Sequence, residues 1–546
     1  MKDKHFKLIL EDEGMDVYMP RDTQDWGYRY GPSIMVHDGI AEAWFATPGD
    51  GYEADWFSYR RSEDGGKTWS YEKVMMAPTP DSIDWFSVCD PGVIKYGDYY
   101  YIGYTSTLFA DGGGVGNNAY VARSKSPTGP FEKWNGNGWG EHRETEHGTY
   151  HWIGQAAPVV YFDGEWRDWG IGEFSFVVVG TTLYMYYTRT RKNLDGVGES
   201  DTCVATADIT DENWPASIVD HGVAFHRDAP GMDSMDVVYC EDLEKFIGLS
   251  TASRFHEDSF LAVFESDDGL RFRRVNDIRE KTRFMCHNCG ISGDELHHIK
   301  SGDLMILGYA YGNLWGNWGT HFHTYRFEAM DEDYYSEINL PCNCAPMEKW
   351  PKEEHLDHSC LTMAHKHYIR VYVGEEQPID IVTFNVCYDR AFVYDAVFSN
   401  YDTEIVEICG TKVIGKKPGY TYVDATLGDL SCQFLIYVRE KDNPFDDNDR
   451  TLISFTPMQK NYTVSMEQKE KKQIRGTVRY RGGYWYETGE QEHGVSFTVS
   501  DPAVIAMDEK GIIHPKKTGS TVVTVTCGNI SFDVNVTVIS ETPCVC

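Results

Sequence analysis

Basic residues are scarce in this chain: 50 Lys and Arg stand against 85 Asp and Glu in 546 residues, a formal net charge of -35. Such an acidic surface repels phosphate backbones and anionic lipid, which excludes nucleic acid and membrane surfaces as partners and leaves neutral polymers or cations. Long apolar runs are missing too. Nothing approaches the roughly 18 residues of a spanning helix, and Met1-Lys2-Asp3-Lys4-His5-Phe6-Lys7 leads only into Leu8-Ile9-Leu10 before acids resume, so no signal peptide is expected. The 14 cysteines are scattered; Cys286/Cys289, Cys342/Cys344 and Cys544/Cys546 lack the two-by-two spacing of a zinc finger, leaving free thiols or a disulfide. The Gly-rich stretch Asp111 to Asn118 lacks the Lys-Ser/Thr of a phosphate loop and reads as a rim loop.

What is present is aromatic and strand-like. At 41% hydrophobic and 14% aromatic the chain can bury sizeable cores, and it is too long for one ordinary domain. The expected division is residues 1–340, a connector at 341–365, then 366–442 and 443–540. Helical periodicity is absent from the first part, which instead repeats at a period of about sixty residues. The unit is an inner strand, a tight hairpin, a Tyr- or Phe-rich strand and a third strand. Cys89 to Thr105 is the type example, with Gly97-Asp98 as its hairpin. Other units start at Ser33, Glu173, Asp236 and His297-His298-Ile299-Lys300. Five units predict an all-β fold with a five-bladed propeller. Ser62-Glu63-Asp64-Gly65-Gly66-Lys67-Thr68-Trp69 matches the Asp-box pattern S-x-D-x-G-x-T-W, a structural turn in which Asp64 caps the loop and Trp69 packs between blades.

Beyond the connector the sequence repeats at an offset of 100. Lys416, Lys417, Gly419, Thr421, Val423, Thr426, Gly428, Ser431 and Val438 recur as Lys516, Lys517, Gly519, Thr521, Val523, Thr526, Gly528, Ser531 and Val538. Each copy alternates apolar and polar residues, as a small β-sandwich requires. Both copies resemble bacterial Ig-like group 2 domains, which implies a role in spacing or cell-surface attachment.

In a propeller the innermost strands begin near the axis, so acids at those starts converge. Asp90, Glu173 and Asp236 are read as holding that position. Asp90-Pro91 with Tyr99-Tyr100-Tyr101 to Thr105, Glu173 ahead of Val177-Val178-Val179-Gly180, and the turn Gly129-Pro130-Phe131 resemble the five-bladed furanosidase superfamily, meaning family 43 glycoside hydrolases and relatives in families 32, 62, 117 and 130. The resemblance implies hydrolysis of an arabinan- or xylan-like carbohydrate and secretion or a cell-surface location, although a cytoplasmic protein fits the N-terminus equally. It also implies that Glu173 is the general acid and that Asp90 holds the sugar or tunes that acid. Where relatives carry a first-blade Asp-Pro, this chain reads Tyr28-Arg29-Tyr30-Gly31-Pro32. Asp25 is the substitute base, with Asp236 second and Asp84 third.

Trp26, Trp85, Trp169 and Trp315 are the expected stacking surfaces for sugar, with Arg29 beside them; Trp139, Trp152, Trp166 and Trp318 are similarly placed. No cofactor is required. His287 resembles the axial histidine of the arabinanase branch, which implies a calcium or other ion in the channel. His321 and His323 share a strand face, whereas His297 and His298 do not. Two other readings stay open. One is a sialidase, suggested by the Asp box but short of an arginine triad; the other is a non-catalytic carbohydrate-binding or adhesion protein.

Overall fold

The computed structural model describes residues 5–18, 28–47, 55–70, 73–79, 84, 86–107, 117–140, 142–144, 150–152, 156–160, 169–192, 198–225, 227, 232–256, 258–300, 302–314, 317–330, 360–364, 368–384, 390–440, 451–457, 460–466, 472–480, 485–487, 494–509 and 511–540. The fold is all-β. Among the described residues no helix is long and apolar enough to cross a membrane.

Among the described residues up to 330, five sheets of four or five strands follow one another in chain order, beside a two-stranded ribbon of His142–Glu144 and Tyr150–Trp152. The first holds Tyr30–His37, Ile40–Thr47, Trp56–Ser62 and Lys73–Met76; the second Cys89–Tyr96, Tyr99–Thr107, Asn117–Ser124 and Glu132–Lys133. The third holds Ile171–Val179, Thr182–Lys192, Gly198–Asp208 and Val219–Phe225, and the fourth Met235–Cys240, Lys245–Ala252, Phe260–Ser266 and Arg273–Ile278. The fifth is built from Cys286–Ile291, Ile306–Leu314 and Asn317–Met330. Its outer edge comes from the chain's beginning, because His5–Leu10 and Met15–Tyr18 both pair with Asn317–Met330. The inner strands pack in sequence, first to fifth, and the fifth returns to the first, closing the ring of a β-propeller.

A core fills each gap between neighbouring sheets. Trp44, Phe57, Ile102 and Tyr104 pack between the first and second; Ile94, Tyr101, Phe176 and Met185 between the second and third. Val177, Tyr186, Phe246 and Phe264 lie between the third and fourth, Ile247, Leu261, Ile291 and Tyr309 between the fourth and fifth. Ile34, Phe45, Ile306 and Phe322 complete the circle. Burial on both faces explains why these strands are apolar throughout rather than alternating. In the turn after Trp56–Ser62, the Asp64 carboxylate accepts from the Ser62 hydroxyl, the Thr68 hydroxyl and the Lys67 and Thr68 amides, and Trp69 meets Phe322 edge-on at 5.4 Å between the first and fifth sheets.

One expected unit shifts. The fifth sheet starts at Cys286, not at His297, because residues 292–299 do other work. That segment crosses the end of the axis where the inner strands finish. Gly293 O accepts from Val36 N, Glu295 O from Lys95 N, Leu296 O from Val178 N and His297 O from Tyr239 N, one bond to each of the other four inner strands. His321 and His323 do share a face, with rings 4.7 Å apart, and grip the N-terminal segment through Asp16 (2.7 Å) and Asp12 (3.4 Å).

Residues 360–540 form two further groups of sheets with separate cores, one around Val371, Val423, Phe434 and Ile436 and one around Val478, Val523, Val525 and Val536. The offset of 100 reappears in the pairing: Gly419 faces Val438 and Leu427 faces Leu430, as Gly519 faces Val538 and Cys527 faces Ile530. Gly428 and Gly528 both sit at φ 57, the left-handed conformation that a two-residue hairpin demands. Thr421 and Thr521 each accept the amide of the residue that opens the preceding turn, Asp402 and Asp501. Of the connector at 341–365, only 360–364 lie within the described residues.

Candidate active site

The inner strands share a local irregularity. The register slips by one residue between Tyr30 and Ser33, Cys89 and Gly92, Gly172 and Ser175, and His287 and Cys289. Each bulge puts one residue in the left-handed region: Gly31 (φ 58), Asp90 (φ 54), Glu173 (φ 58) and Asn288 (φ 37). For a non-glycine residue that conformation costs about 1–2 kcal/mol, which the ring sustains at the place where side chains turn toward the axis. Asp90, Glu173 and Asn288 line one pocket with Gly31, Pro91, Ser234 and Asp236.

Glu173 is buried, at 8% exposure. Its Oε2 lies 3.7 Å from Arg227 Nη2 and its Oε1 3.4 Å from Asn288 Nδ2. Desolvation and the charges of Asp233 and Asp90 push its carboxyl up to about 8, against the opposing pull of Arg227 and Thr188. Asp90, half-buried, is pushed up to about 7 by desolvation and by Asp55, while the Thr105 hydroxyl pulls it down. Asp233 is buried at 2% yet held below the ordinary carboxylate range. Desolvation raises it, but the Arg254 guanidinium 3.3 Å away, the Asn288 amide at 2.8 Å and Arg227 outweigh that effect. A pocket-lining carboxyl that keeps its proton near neutrality is thus joined through Asn288 to a buried one that stays charged, the separation of pKa values that acid-base chemistry uses.

Asp236 lines the pocket but does not hold the position of Asp90 and Glu173. The fourth sheet has no bulge at its start, and Ser234 stands where those acids do. The Asp236 carboxylate accepts from the Ser175 hydroxyl (2.6 Å), Val237 N (3.1 Å) and Ile291 N (2.8 Å). Ser33 caps Val93 N and Ser175 caps Val237 N in the same manner, so Asp236 staples one inner strand to the next. Asp84 is no base either: it is fully buried between the first two sheets, with Lys133 Nζ at 2.5 Å and the Tyr104 hydroxyl at 3.0 Å. Asp25, Trp26, Trp85, Trp166 and Trp315, and the Trp152 side chain, lie outside the described residues.

His287 sits in an aromatic setting, with ring centroids 4.4 Å from Trp318, 4.6 Å from Phe255 and 6.4 Å from Tyr30. That environment offers rings where calcium needs oxygens, and the described residues contain no group of three His, Cys, Asp or Glu able to hold a metal. The expectation of an ion at His287 is therefore set aside. Arg29 lies over the Tyr18 ring at 4.5 Å and donates to the Tyr28 carbonyl, and Trp169 contributes its carbonyl to Asn117 N at 3.0 Å. Trp139 packs on Trp134 and Arg123, toward the outer strands.

Sequence reasoning missed Asp233, Asn288, Arg227, Arg254 and Asp55. Asn288 follows His287 as Asp90 follows Cys89, a parallel hidden by the misplaced start of the fifth unit. Asp233 lies three residues before the acid chosen instead, and only the strand register separates them.

No protein-family model matches the chain, and no curated protein does. Solved structures do. The chain is similar to Zg3597, a family 117 glycoside hydrolase from the marine bacterium Zobellia galactanivorans, at 14% identity over 64% of this chain and 96% of that one, with a TM-score of 0.38. It is similar to the α-L-arabinofuranosidase PaAbf62A from Podospora anserina, solved with cellotriose (11%, 59% and 97%, TM-score 0.37), and to a thermostable family-43 glycoside hydrolase (14%, 59% and 96%, TM-score 0.34). These are distant likenesses.

Proposed function

We propose that residues 1–340 are a five-bladed propeller that hydrolyses O-glycosidic bonds of an arabinan- or xylan-like carbohydrate, with Glu173 as the proton donor. The observation that carries this reading is Glu173, a pocket-lining carboxyl raised to about 8 and so protonated near neutrality, joined through Asn288 to the buried Asp233, which is held below the ordinary range. Glu173 protonates the leaving oxygen as the bond to the anomeric carbon breaks. Asp90 beside it tunes that acid, since its charge opposes loss of the Glu173 proton. Asp233, pinned by Arg254, steadies positive charge on the sugar ring. The two C-terminal units are bacterial Ig-like group 2 modules that space or attach the enzyme at a cell surface.

A sialidase is less well supported: among the described residues Arg227 and Arg254 reach the site, both acting on Asp233, which is short of the arginine triad that holds an anionic sugar. The test is a panel of aryl glycosides and polysaccharides with wild type and Glu173→Gln. Turnover lost with ligand binding retained supports the reading. Unchanged hydrolysis by Glu173→Gln removes the acid assignment, and no release by wild type from arabinan, xylan, mannan or sialoside points to a binding module.

A further inference from the structure

The first sheet contributes no acid at the bulge. Gly31 occupies that slot, and a β-carbon placed there would lie 3.7 Å from both the Cα and Oδ1 of Asp90, so the slot faces the second sheet's carboxylate. A different residue of the same sheet approaches the same place. Asp55 immediately precedes the third strand, Trp56–Ser62, and its carbonyl accepts Val88 N at 2.8 Å, which ties it beside Cys89 and Asp90. Its carboxylate accepts from the hydroxyls of Tyr28 and, at 3.0 Å, Tyr30, the residue directly before Gly31.

Two phenols, one of them on the residue before Gly31, therefore fix the orientation of a half-buried carboxylate on the first sheet. Several fully buried carboxylates in the ring are matched by cations, Asp84 by Lys133, Glu265 by Lys245 and Arg273, Asp233 by Arg254, whereas Asp236, like Asp55, is held by neutral donors. Among the described residues no ion pair reaches Asp55. Neutral donors orient a carboxylate without neutralising it, which leaves its charge available to a proton. Asp55 is also part of the well electrostatically, because its charge is among the causes that raise Asp90, whose own charge helps raise Glu173.

We propose that Asp55, oriented by Tyr28 and Tyr30, is the first sheet's catalytic carboxylate and the general base of the hydrolysis. This rests on the glycosidase reading above. Asp55 takes a proton from water as the water oxygen's electron pair forms the bond to the anomeric carbon. The old carbon-oxygen bond breaks with its pair passing to the leaving oxygen, which takes the Glu173 proton. One water is consumed, and exchange with solvent restores both carboxyls.

The experiment uses the full chain and an aryl or fluoride glycoside that wild type turns over. Asp55→Asn should lose about 10³-fold in kcat with KM nearly unchanged, and azide or formate should restore part of the turnover, an effect that a structural carboxylate would not show. Tyr30→Phe keeps the fold independent of the Asp55 substitution. Desolvation raises the Asp55 carboxyl to about 6 against the pull of the Tyr28 and Tyr30 phenols; removing one of them lets it rise further, so the acidic limb of kcat/KM should move to higher pH while the alkaline limb stays. Asp55→Asn within about threefold of wild type, azide rescue of Asp90→Asn or Asp233→Asn in its place, or an unmoved acidic limb in Tyr30→Phe would overturn the assignment. If wild type and Glu173→Gln behave as a glycosidase requires while any of these occurs, the base assignment alone falls; if wild type cleaves no glycoside, both readings fall together.

Discussion

Residues 5–330 and residues 360–540 are both built from antiparallel strands, yet they treat charge in opposite ways. The ring buries Glu42, Asp84, Glu173, Asp201, Asp233 and Glu265, together with Lys133, Lys245 and five histidines. In the tandem repeat the buried polar residues are Thr362, Thr383, Thr421, Ser465 and Thr521, and no charged side chain is buried among the described residues. Taking a charge out of water is expensive unless it is paired. Buried carboxylates such as these report a constraint, either a structural pair, between the first two sheets at Asp84 and within the fourth at Glu265, or a site, as with Glu173 and Asp233. Hairpins in both regions use glycine at left-handed φ, Gly97 and Gly180 in the ring and Gly428 and Gly528 in the repeat, while the ring adds Asp90 and Glu173 at its bulges.

The sharpest way to separate the two regions is by activity. Glu173→Gln should lower kcat on an unactivated glycoside by about 10³-fold, while Val523→Ala in the repeat should leave it unchanged; steady-state assays on the same substrate decide this. Next comes the cost of breaking a buried pair. Asp84→Asn leaves Lys133 uncompensated and should destabilise the ring by about 3–5 kcal/mol, against about 2–3 kcal/mol for Val523→Ala, which loses only packing. Chemical denaturation followed by Trp fluorescence measures both.

The pH dependence of stability is a finer probe. Glu173 keeps its proton in the folded state up to about 8, whereas an ordinary glutamate loses it near 4.5. Between those values the folded state binds the extra proton, so this residue makes stability fall as pH rises. Glu173→Gln should flatten that slope and melt higher than wild type at pH 8, and a parallel slope in the two proteins would refute the assignment. The smallest effect is expected at Gly528→Ala, about 1 kcal/mol from the forced left-handed conformation. Its signature is local, namely faster hydrogen exchange in Gly519–Cys527 and Ile530–Ile539 with the ring untouched.

Much of the fold is legible in the chain because strand alternation, hairpin glycines and repeats are local properties. The strand Cys89–Tyr96 with its Tyr-rich partner, the Glu173 unit and the 100-residue offset of Gly419–Leu427 against Gly519–Cys527 can all be read by eye. The fifth unit could not, since residues 297–300 look like a strand start but are drawn into the bonds that cross the axis. Asp236 was misread for a related reason. An acid at a strand start has the same sequence signature whether it faces a substrate or caps Ile291 N.

The sequence by itself determined the all-β character, the repeating units and the place of Asp90 and Glu173 at strand starts, because each depends on local patterns. Only the tertiary structure decided which acids meet, that Asp233 is pulled down by Arg254 while Glu173 is pushed up by burial, and that Tyr28 and Tyr30 both donate to Asp55. Those outcomes depend on desolvation and on charges brought together from the first to the fifth sheet, which closure of the ring alone makes neighbours.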